Sequence, residues 1–169
     1  LVISDGHKGI QAAVERSFLG SSWQMCTVHF IRAVLRKLPK KVHKEIVQLL
    51  RESLTDPRRL QECADELEIR GFSRAADTVE RFIPGLLNYR IAPQEHWRRI
   101  RTTNMLERLN KELKRRSRAI GAFSNDASLL RLAGTILMDI NEEWITGQRY
   151  LSGSEVIVCQ DTRAEFTAL

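Results

Sequence analysis

The spacing of apolar residues changes along the chain, and this change limits the folds that are open to it. Two short apolar runs, residues 1–4 and 23–28, are rich in residues that favour β-strands. Each run is followed by apolar residues at helical spacing, over residues 8–18 and 29–38. This strand–helix–strand–helix order favours an α/β sheet, with a buried first strand that ends at the turn signal beginning with Asp5.

Beyond the second strand–helix pair, the pattern predicts helices and no further strand. Helices are expected over residues 42–54, 57–70, 73–89, 104–118 and 126–144. The third of these contains Pro84, which should bend or break it. A connector is expected from Ala92 to Thr103. The fold class predicted from these patterns is therefore α/β, with the sheet-forming part interrupted by an all-helical insertion.

The positive charge of the chain is concentrated in one segment. The net charge is +6, and residues 98–118 hold nine Lys and Arg against two Glu, so the remainder is close to neutral. Such a patch is typical of a protein that binds a polyanion, most often nucleic acid. A solvated helix face is the commoner explanation of a charge run considered alone. Trp97, beside Arg98, Arg99 and Arg101, is suited either to stacking on unpaired bases or to covering a core.

Composition also limits the cellular setting. No apolar run approaches the ~20 residues that a membrane span needs, so no membrane association is expected. Three widely spaced cysteines do not suggest a disulfide framework, and we expect a reducing, cytoplasmic compartment. The chain begins with Leu1 in a strand-like run, which suggests that it is the C-terminal part of a longer protein.

Several residues near the ends of the two predicted strands suit a functional site. Asp5 follows the first strand, and functional groups gather at the carboxyl ends of strands in open α/β sheets. A turn or helix N-cap aspartate is the alternative. His7 should lie near the same strand end, either contacting a phosphate or a water or simply exposed in the turn. Cys26-x-x-His29 straddles the second strand end and offers too few ligands for structural zinc, so a structural or site-framing role is expected.

Glu107 is the second candidate acid, and it lies on the predicted helix 104–118. On that helix the carboxylate shares one stripe with Lys111, Lys114 and Arg118. The opposite face is expected to enter a core through Met105, Leu106, Leu109 and Leu113. A carboxylate in a row of cations can bind a divalent metal while the cations hold phosphates. Two alternatives are a capping arrangement with Asn104 and an i,i+4 pair with Lys111.

These motifs also resemble a known family. Residues 3–9 (ISDGHKG) and 23–30 (WQMCTVHF) resemble the second-aspartate region and the C-x-x-H signature of Mutator-type bacterial insertion-sequence transposases. Residues 97–110 (WRRIRTTNMLERLN) resemble the segment that carries their catalytic glutamate, and residues 111–123 continue the match. The resemblance covers roughly residues 1–145, and its specificity lies in the order and spacing of the motifs together.

The resemblance implies an RNase H-like core with a DDE triad, in which Asp5 is the second acid and Glu107 the third. It divides the chain into the second half of that core (1–40), a helical insertion (41–101), C-terminal core helices with the glutamate (102–146) and a tail (147–169). The first aspartate and the N-terminal DNA-binding region would lie upstream, so the isolated chain is expected to be inactive.

The resemblance further implies metal-dependent DNA cleavage and strand transfer. Asp5 and Glu107 would bind Mg²⁺ in a two-metal site, with Mn²⁺ as an alternative. The expected partners are the terminal inverted repeats of the element, target DNA and further copies of the same chain. The residues expected to contact DNA are Arg98, Arg99, Arg101, Lys111, Lys114, Arg115 and Arg118. The residues expected to frame the site are His7, Cys26, His29 and Asn104.

Two alternatives to an active transposase remain open at this point. One is an inactive remnant of a transposase, which the expected absence of the first strand would favour. The other is a helical nucleic-acid-binding module that never had an active site. In that module Glu107 would be only a cap or a salt-bridge partner.

Overall fold

The computed structural model describes residues 1–147 and shows a mostly helical chain with one two-stranded sheet. Strand β1, Val2–Ser4, pairs in parallel with strand β2, Trp23–Met25. A parallel pair needs a crossover connection, and helix α1, Lys8–Ser17, supplies it. The predicted order of strand, helix, strand and helix is confirmed.

The remaining α-helices agree closely with the expected ones. They are α2 (Thr27–Leu35), α3 (His43–Ser53), α4 (Pro57–Ile69), α5 (Ser73–Leu86), α6 (Gln94–Ile100), α7 (Asn104–Ile120) and α8 (Asp126–Thr146). Short 3₁₀ turns precede α3 and follow α5. Helix α7 ends at Gly121, whose φ of 79° is a backbone conformation that glycine adopts without strain.

Some expectations about the elements were wrong. Thr27 and Val28 belong to α2 and not to a strand, because Cys26 already has the position of a helix N-cap. Helix α5 is unbroken at Pro84, which lies in its last turn and gives up only the hydrogen bond that its own N–H would have donated. The expected connector contains helix α6, and strand β1 is half-buried throughout, not buried.

The main hydrophobic core lies between strand β2 and helices α2 to α5. Its largest fully buried side chains are Met25 of β2, Phe30 of α2, Ile46 and Leu50 of α3, Leu60 and Leu67 of α4, and Leu86 of α5. The helices expected to form an insertion therefore share one core with the second strand and the helix after it. The expected domain boundaries stay a prediction, and the tail from residue 148 lies outside the described residues.

Helices α1, α7 and α8 contribute little to this core. Val14 is the buried residue of α1 and Ile136 that of α8, whereas α7 buries none of its residues. The expectation that the apolar face of α7 enters a core was therefore wrong. Leu106 is 56% exposed, and Met105, Leu109 and Leu113 are only half-buried, because helix α8 covers just part of that face.

None of the helices in residues 1–147 combines the length and the apolar character needed to cross a lipid bilayer.

Candidate functional site

The carboxyl ends of the two parallel strands form the edge at which the candidate residues meet. Ser4 lies opposite Met25, and the next backbone N–H, that of Cys26, donates to the carbonyl oxygen of Ser4 at 2.8 Å. The indole N–H of Trp23 donates to the Ser4 hydroxyl at 2.8 Å and braces the end of β1 from the neighbouring strand. Asp5 therefore leaves the sheet directly beside Cys26.

Asp5 and His7 lie in the turn between β1 and α1, and both are exposed. Asp5 Oδ1 accepts a hydrogen bond from the His7 backbone N–H at 3.2 Å, and His7 Nδ1 accepts one from the Gly9 N–H at 3.2 Å. His7 is thus the N-cap of α1. A Cβ atom at Gly6 would lie 2.4 Å from Cζ of Phe82 in α5, so the turn has no room for a side chain there. The close packing at Gly6 holds the Asp5 turn against the core.

Cys26 joins the end of β2 to the segment that precedes α7. It is completely buried, and its Sγ accepts a hydrogen bond from the Thr103 N–H at 3.4 Å. The first N–H of α2, that of Thr27, donates to the carbonyl oxygen of Arg101 at 3.0 Å. Because Cys26 supplies no side-chain cap to α2, this carbonyl satisfies one of the free N–H groups of the helix. The two bonds dock residues 101–103 onto the junction of β2 and α2.

Glu107 lies in the first turn of α7, next to this junction. The hydroxyl of Thr103, the N-cap residue, donates to Glu107 Oε1 at 3.0 Å. His29 Nε2 lies 3.6 Å from the same oxygen, and His29 Nδ1 lies 3.5 Å from the Thr103 hydroxyl. Both residues of the C-x-x-H motif therefore contact the N-terminal turn of α7. That Cys26 and His29 frame a functional site stays a prediction.

The structure shows neither of the two alternatives for Glu107, which were a capping arrangement with Asn104 and an ion pair with Lys111. The N-cap of α7 is Thr103 and not Asn104, whose side chain makes no hydrogen bond within residues 1–147. In this part of the chain Glu107 also forms no ion pair with Lys111 and instead faces His29. Asn104 is the first residue of α7 and is exposed. Its side chain has no hydrogen bond within residues 1–147 to the other residues that were expected to frame the site.

Helix α7 carries a stripe of exposed cations on the side of Glu107. Lys111, Lys114 and Arg118 are all exposed, and none of them pairs with an acid among the described residues. Arg98 and Arg101, at the end of α6 and just after it, are also exposed. These five side chains are therefore available to an anionic partner.

Arg115 is differently placed, because it is engaged by an acid of its own helix. Its Nε and Nη2 donate to the two carboxylate oxygens of Glu112 at 2.9 and 2.7 Å, and Arg116 Nε donates to the same carboxylate at 2.9 Å. Hydrogen bonds from Arg115 and then Arg116 lower the pKa of Glu112 to about 2, and the same contact raises the pKa of Arg115. Arg115, a predicted DNA contact, is thus already neutralised by a neighbour on its own helix.

A groove of about 700 Å³ runs between α7 and α8. Its lining combines apolar, basic and acidic residues. They are Met105, Leu109, Ile140 and Trp144, then Arg99, Arg108, Lys111, Arg115 and Arg116, and the acids Glu112 and Glu143. Arg108 is exposed and was not among the residues predicted to contact DNA. Arg99, half-buried, reaches this groove from α6.

Trp97 has a packing role. Its indole N–H donates to the carbonyl oxygen of Ala92 at 2.7 Å, and its ring meets that of Tyr89 edge-to-face at 5.6 Å. The guanidinium of Arg90 lies 5.4 Å from the ring centre. With its edge, its N–H and one face engaged by the protein, Trp97 fits the core-covering alternative better than base stacking.

A family model described as transposase, Mutator family, matches residues 1–147, which is most of the chain. The chain belongs to the Mutator family of transposases. The match includes β1, the C-x-x-H motif and α7, the three parts that the geometry brings together. No solved structure matches the chain.

Curated transposases are similar to this member of the family over nearly all of its length. The transposase for IS256 in transposon Tn4001 of Staphylococcus aureus is 35% identical over 156 residues, covering 88% of this chain and 40% of the relative. The transposase for ISRM5 of Rhizobium meliloti is 36% identical over 159 residues, covering 90% and 39%. The transposase for IS1081 of Mycobacterium tuberculosis is 32% identical over 168 residues, covering 93% and 39%. The chain thus spans about two fifths of the length of these relatives.

The residues near the edge of the sheet can be compared with the ligands that a divalent metal ion prefers. Within residues 1–147, no group of three or more His, Cys, Asp or Glu side chains could hold a metal ion. Asp5 and Glu107 both present exposed carboxylates, and carboxylate oxygens are the ligands that Mg²⁺ prefers. The donor chemistry therefore fits a magnesium ion, with at least one further ligand needed from outside these residues.

Thr103 is the site residue that sequence analysis missed. It touches Cys26, His29 and Glu107 together, yet in the sequence it is an ordinary threonine at the end of an expected connector. Its position before an apolar helical pattern identifies it as a possible N-cap, which is the only signal available without the fold.

Proposed function

We propose that this chain carries part of the catalytic centre of a DNA transposase that cleaves the ends of an insertion element and joins them to target DNA. One observation carries the proposal. Glu107 is held through Thr103, Cys26 and His29 at the sheet edge from which Asp5 emerges. In a member of the Mutator family, two carboxylates at one sheet edge are the arrangement expected for the second and third acids of a DDE centre.

The order of elements supports an RNase H-like core for this centre. In that interpretation, β1, α1, β2 and α2 form the second half of the core, and α7 contributes the glutamate. Helices α3 to α6 then form the segment inserted between the two acids. The docking of residues 101–103 onto the β2–α2 junction is what returns the chain to the sheet after this segment.

We further propose that Asp5 and Glu107 hold Mg²⁺, or Mn²⁺ in its place, together with a ligand from outside the described residues. When bound, such ions stabilise the charge on the attacking and leaving oxygens of an in-line displacement at phosphorus. The exposed position of both carboxylates leaves them open to solvent and to a DNA strand. In the proposed reaction, water cleaves a phosphodiester bond at the element end, and the freed 3′-hydroxyl then attacks a phosphodiester bond of the target.

The cations of α7 have a separate task in this proposal. Lys111, Lys114 and Arg118 lie on successive turns beyond Glu107 and are free of acidic partners within residues 1–147. Side chains in such a row bind backbone phosphates and position a strand without reading its sequence. They would therefore lead a DNA strand along α7 to the carboxylate, with Arg98 and Arg101 extending the same positive surface.

The decisive experiment substitutes the two acids in the complete reading frame that encodes this chain. We expect Asp5→Asn and Glu107→Gln each to abolish Mg²⁺-dependent cleavage of element-end DNA while leaving DNA binding in a gel-shift assay nearly unchanged. The control is Glu62→Gln, an exposed acid of α4 with no hydrogen bond or ion pair among the described residues, which should cleave like the wild type. Cleavage that persists in either acid variant would show that the catalytic assignment is wrong.

A second experiment separates a transposase from a binding module without an active site. Lys111→Ala combined with Lys114→Ala removes two phosphate contacts, so the slope of log affinity against log salt should become less steep by about 1.8. The control pair Lys41→Ala and Lys44→Ala, exposed and outside α7, should leave that slope unchanged. If the α7 pair weakens binding while the acid variants change nothing, the module is the correct interpretation. If the wild type binds DNA and does not cleave it, the correct interpretation is an inactive remnant of a transposase.

A further inference from the structure

We propose that Thr103 is a positioning residue for Glu107, which sets the carboxylate in one orientation relative to the edge of the sheet. The inference rests on the proposed function of Glu107, and it assigns a role to a residue outside the acidic pair. Thr103 is the N-cap of α7, and its hydroxyl lies 3.0 Å from Glu107 Oε1. A carboxylate on an exposed helix has several rotamers, and a hydrogen bond from the preceding turn selects among them.

Thr103 can orient Glu107 because Thr103 is itself anchored. Its backbone N–H donates to the Sγ of Cys26, which is completely buried at the end of β2. Its hydroxyl lies 3.4 Å from the same sulfur and 3.5 Å from Nδ1 of His29. Its neighbour Arg101 accepts the hydrogen bond from Thr27. The position of the Thr103 hydroxyl is thus set by the sheet and by α2, and not only by the helix that carries Glu107.

The hydroxyl contacts are selective because a threonine has one proton to donate. A carboxylate is the strongest acceptor of the three neighbours and the closest, so the proton belongs to Glu107 Oε1. The lone pairs of the hydroxyl then face Cys26 and His29. Glu107 Oε1 is engaged by Thr103 and approached by His29, whereas Oε2 has no hydrogen-bond partner within residues 1–147. Thr103 therefore leaves Oε2 as the oxygen open to a cation.

The C-x-x-H motif acts through Thr103 in this arrangement. Cys26 fixes the backbone of Thr103, and His29 closes the other side of its hydroxyl. Neither side chain needs to touch a metal or DNA for the motif to matter. Residues that orient a metal ligand typically change metal affinity or activity by about 10- to 100-fold when they are removed.

The test compares variants at position 103 with a variant of the adjacent threonine, in the complete transposase. Thr103→Val keeps the shape of the side chain and removes the hydroxyl. Thr103→Ala also removes the hydroxyl and serves as a second variant if the valine perturbs folding. Thr103→Ser keeps the hydroxyl. Thr102→Val is the matched control, because the Thr102 side chain makes no hydrogen bond within the described residues. Thermal unfolding followed by circular dichroism establishes that each variant is folded.

Two readouts are needed, and one of them does not depend on catalysis. Titration with Mn²⁺ alone, followed by electron paramagnetic resonance, should show affinity about 10- to 100-fold weaker in Thr103→Val and Thr103→Ala. Single-turnover cleavage should show a similar loss in the rate constant at saturating DNA. The DNA concentration that gives half of this rate should be unchanged, since Thr103 has no hydrogen bond to a proposed phosphate-binding cation within residues 1–147. Thr103→Ser and Thr102→Val should behave like the wild type in both assays.

The outcomes separate this inference from the proposed function. If Glu107→Gln is inactive but Thr103→Val and Thr103→Ala bind Mn²⁺ and cleave like the wild type, the positioning role is refuted and the catalytic assignment stands. If Glu107→Gln cleaves normally, the proposed function is wrong whatever Thr103 does. A loss in Thr103→Val and Thr103→Ala that Thr103→Ser restores supports the positioning role.

Discussion

Gln24 offers the sharpest test of how the sheet is attached to the helical core. It is a completely buried amide in the middle of β2. Its Nε2 donates to the carbonyl oxygens of Met25 at 2.7 Å and Leu86 at 2.8 Å, and its Oε1 accepts from the Tyr89 N–H at 2.8 Å. One side chain therefore ties the strand to the end of α5 and to the turn after it.

Gln24→Leu keeps the approximate size of the side chain and removes all three hydrogen bonds. A buried N–H left without a partner costs about 1–3 kcal/mol, and we take about 1 kcal/mol for each of the two carbonyl groups. Burial of the leucine side chain offsets about 1–2 kcal/mol of this cost. The free energy of unfolding should therefore fall by about 1–4 kcal/mol, which is a large fraction of the stability of a domain of this size.

Urea denaturation followed by far-ultraviolet circular dichroism measures this loss. For a domain of this size, a fall of that order moves the midpoint by roughly 0.5–2 M urea with little change in slope. The matched control is Gln48→Leu on α3, an exposed residue whose amide donates to Glu52 at 3.0 Å. Such an i,i+4 contact is worth about 0.2–0.5 kcal/mol. If Gln24→Leu shifts the midpoint no further than Gln48→Leu does, the buried amide does not join the two parts as described.

Three further predictions test other parts of the structure. Gly85→Ala places a Cβ atom 2.3 Å from the Trp23 ring and should lower the free energy of unfolding by about 1–2 kcal/mol. Gly134→Ala, in open space on α8, should instead raise the free energy of unfolding by about 0.5–1 kcal/mol. Urea denaturation of both variants measures the difference. Because burial raises the pKa of the Cys63 thiol, that cysteine should resist iodoacetamide in the folded protein at about pH 8 and react in urea, as peptide mapping would show. The Glu112 carboxyl should titrate near pH 2 by nuclear magnetic resonance, below its ordinary 4.5.

The lowered pKa of Glu112 determines how its ion pair contributes to stability as the pH changes. The ion pair favours the charged carboxylate, so its contribution to stability is present above pH 4.5 and is lost as the pH falls towards about 2. The difference in the free energy of unfolding between the wild type and Glu112→Gln should therefore shrink as the pH falls from 4.5 towards about 2. Salt at about 1 M should move the midpoint of the titration back towards 4.5, since the pair is exposed. A midpoint that is ordinary at low salt would contradict the bidentate pair with Arg115.

Local patterns were enough to predict most of the helices and both strands. The apolar spacing of α3, α4, α7 and α8 predicted them to within a few residues, and Gly121 marked the end of α7. The short helix α6 was missed because it is a seven-residue segment in which no residue is fully buried, so it has no apolar stripe to reveal it. The end of β2 was predicted too late because β-branched Thr27 and Val28 favour a strand locally, whereas the position of Cys26 starts a helix.

The residues of the candidate site were also predicted in part from the sequence. Asp5, His7, Cys26, His29 and Glu107 were each identified from residue type, motif or position on an expected element. The association of the two acids was expected only from the family resemblance. Local patterns could not show the contact that links the two parts, because Cys26 and Thr103 are 77 positions apart in the chain. Thr103 carries no sequence signal stronger than that of a possible helix cap.

The sequence by itself determined where the helices and strands lie, which face of α7 is charged, and that the chain has the motifs of its family. Those properties are local, since they depend on residues within a few turns of one another. The tertiary structure decided that α3 to α5 share a core with β2, that the apolar face of α7 stays half-open, and that the Glu107 turn docks on the end of the sheet. These outcomes depend on which surfaces meet, and a buried amide or sulfur selects its partner only after the chain has folded.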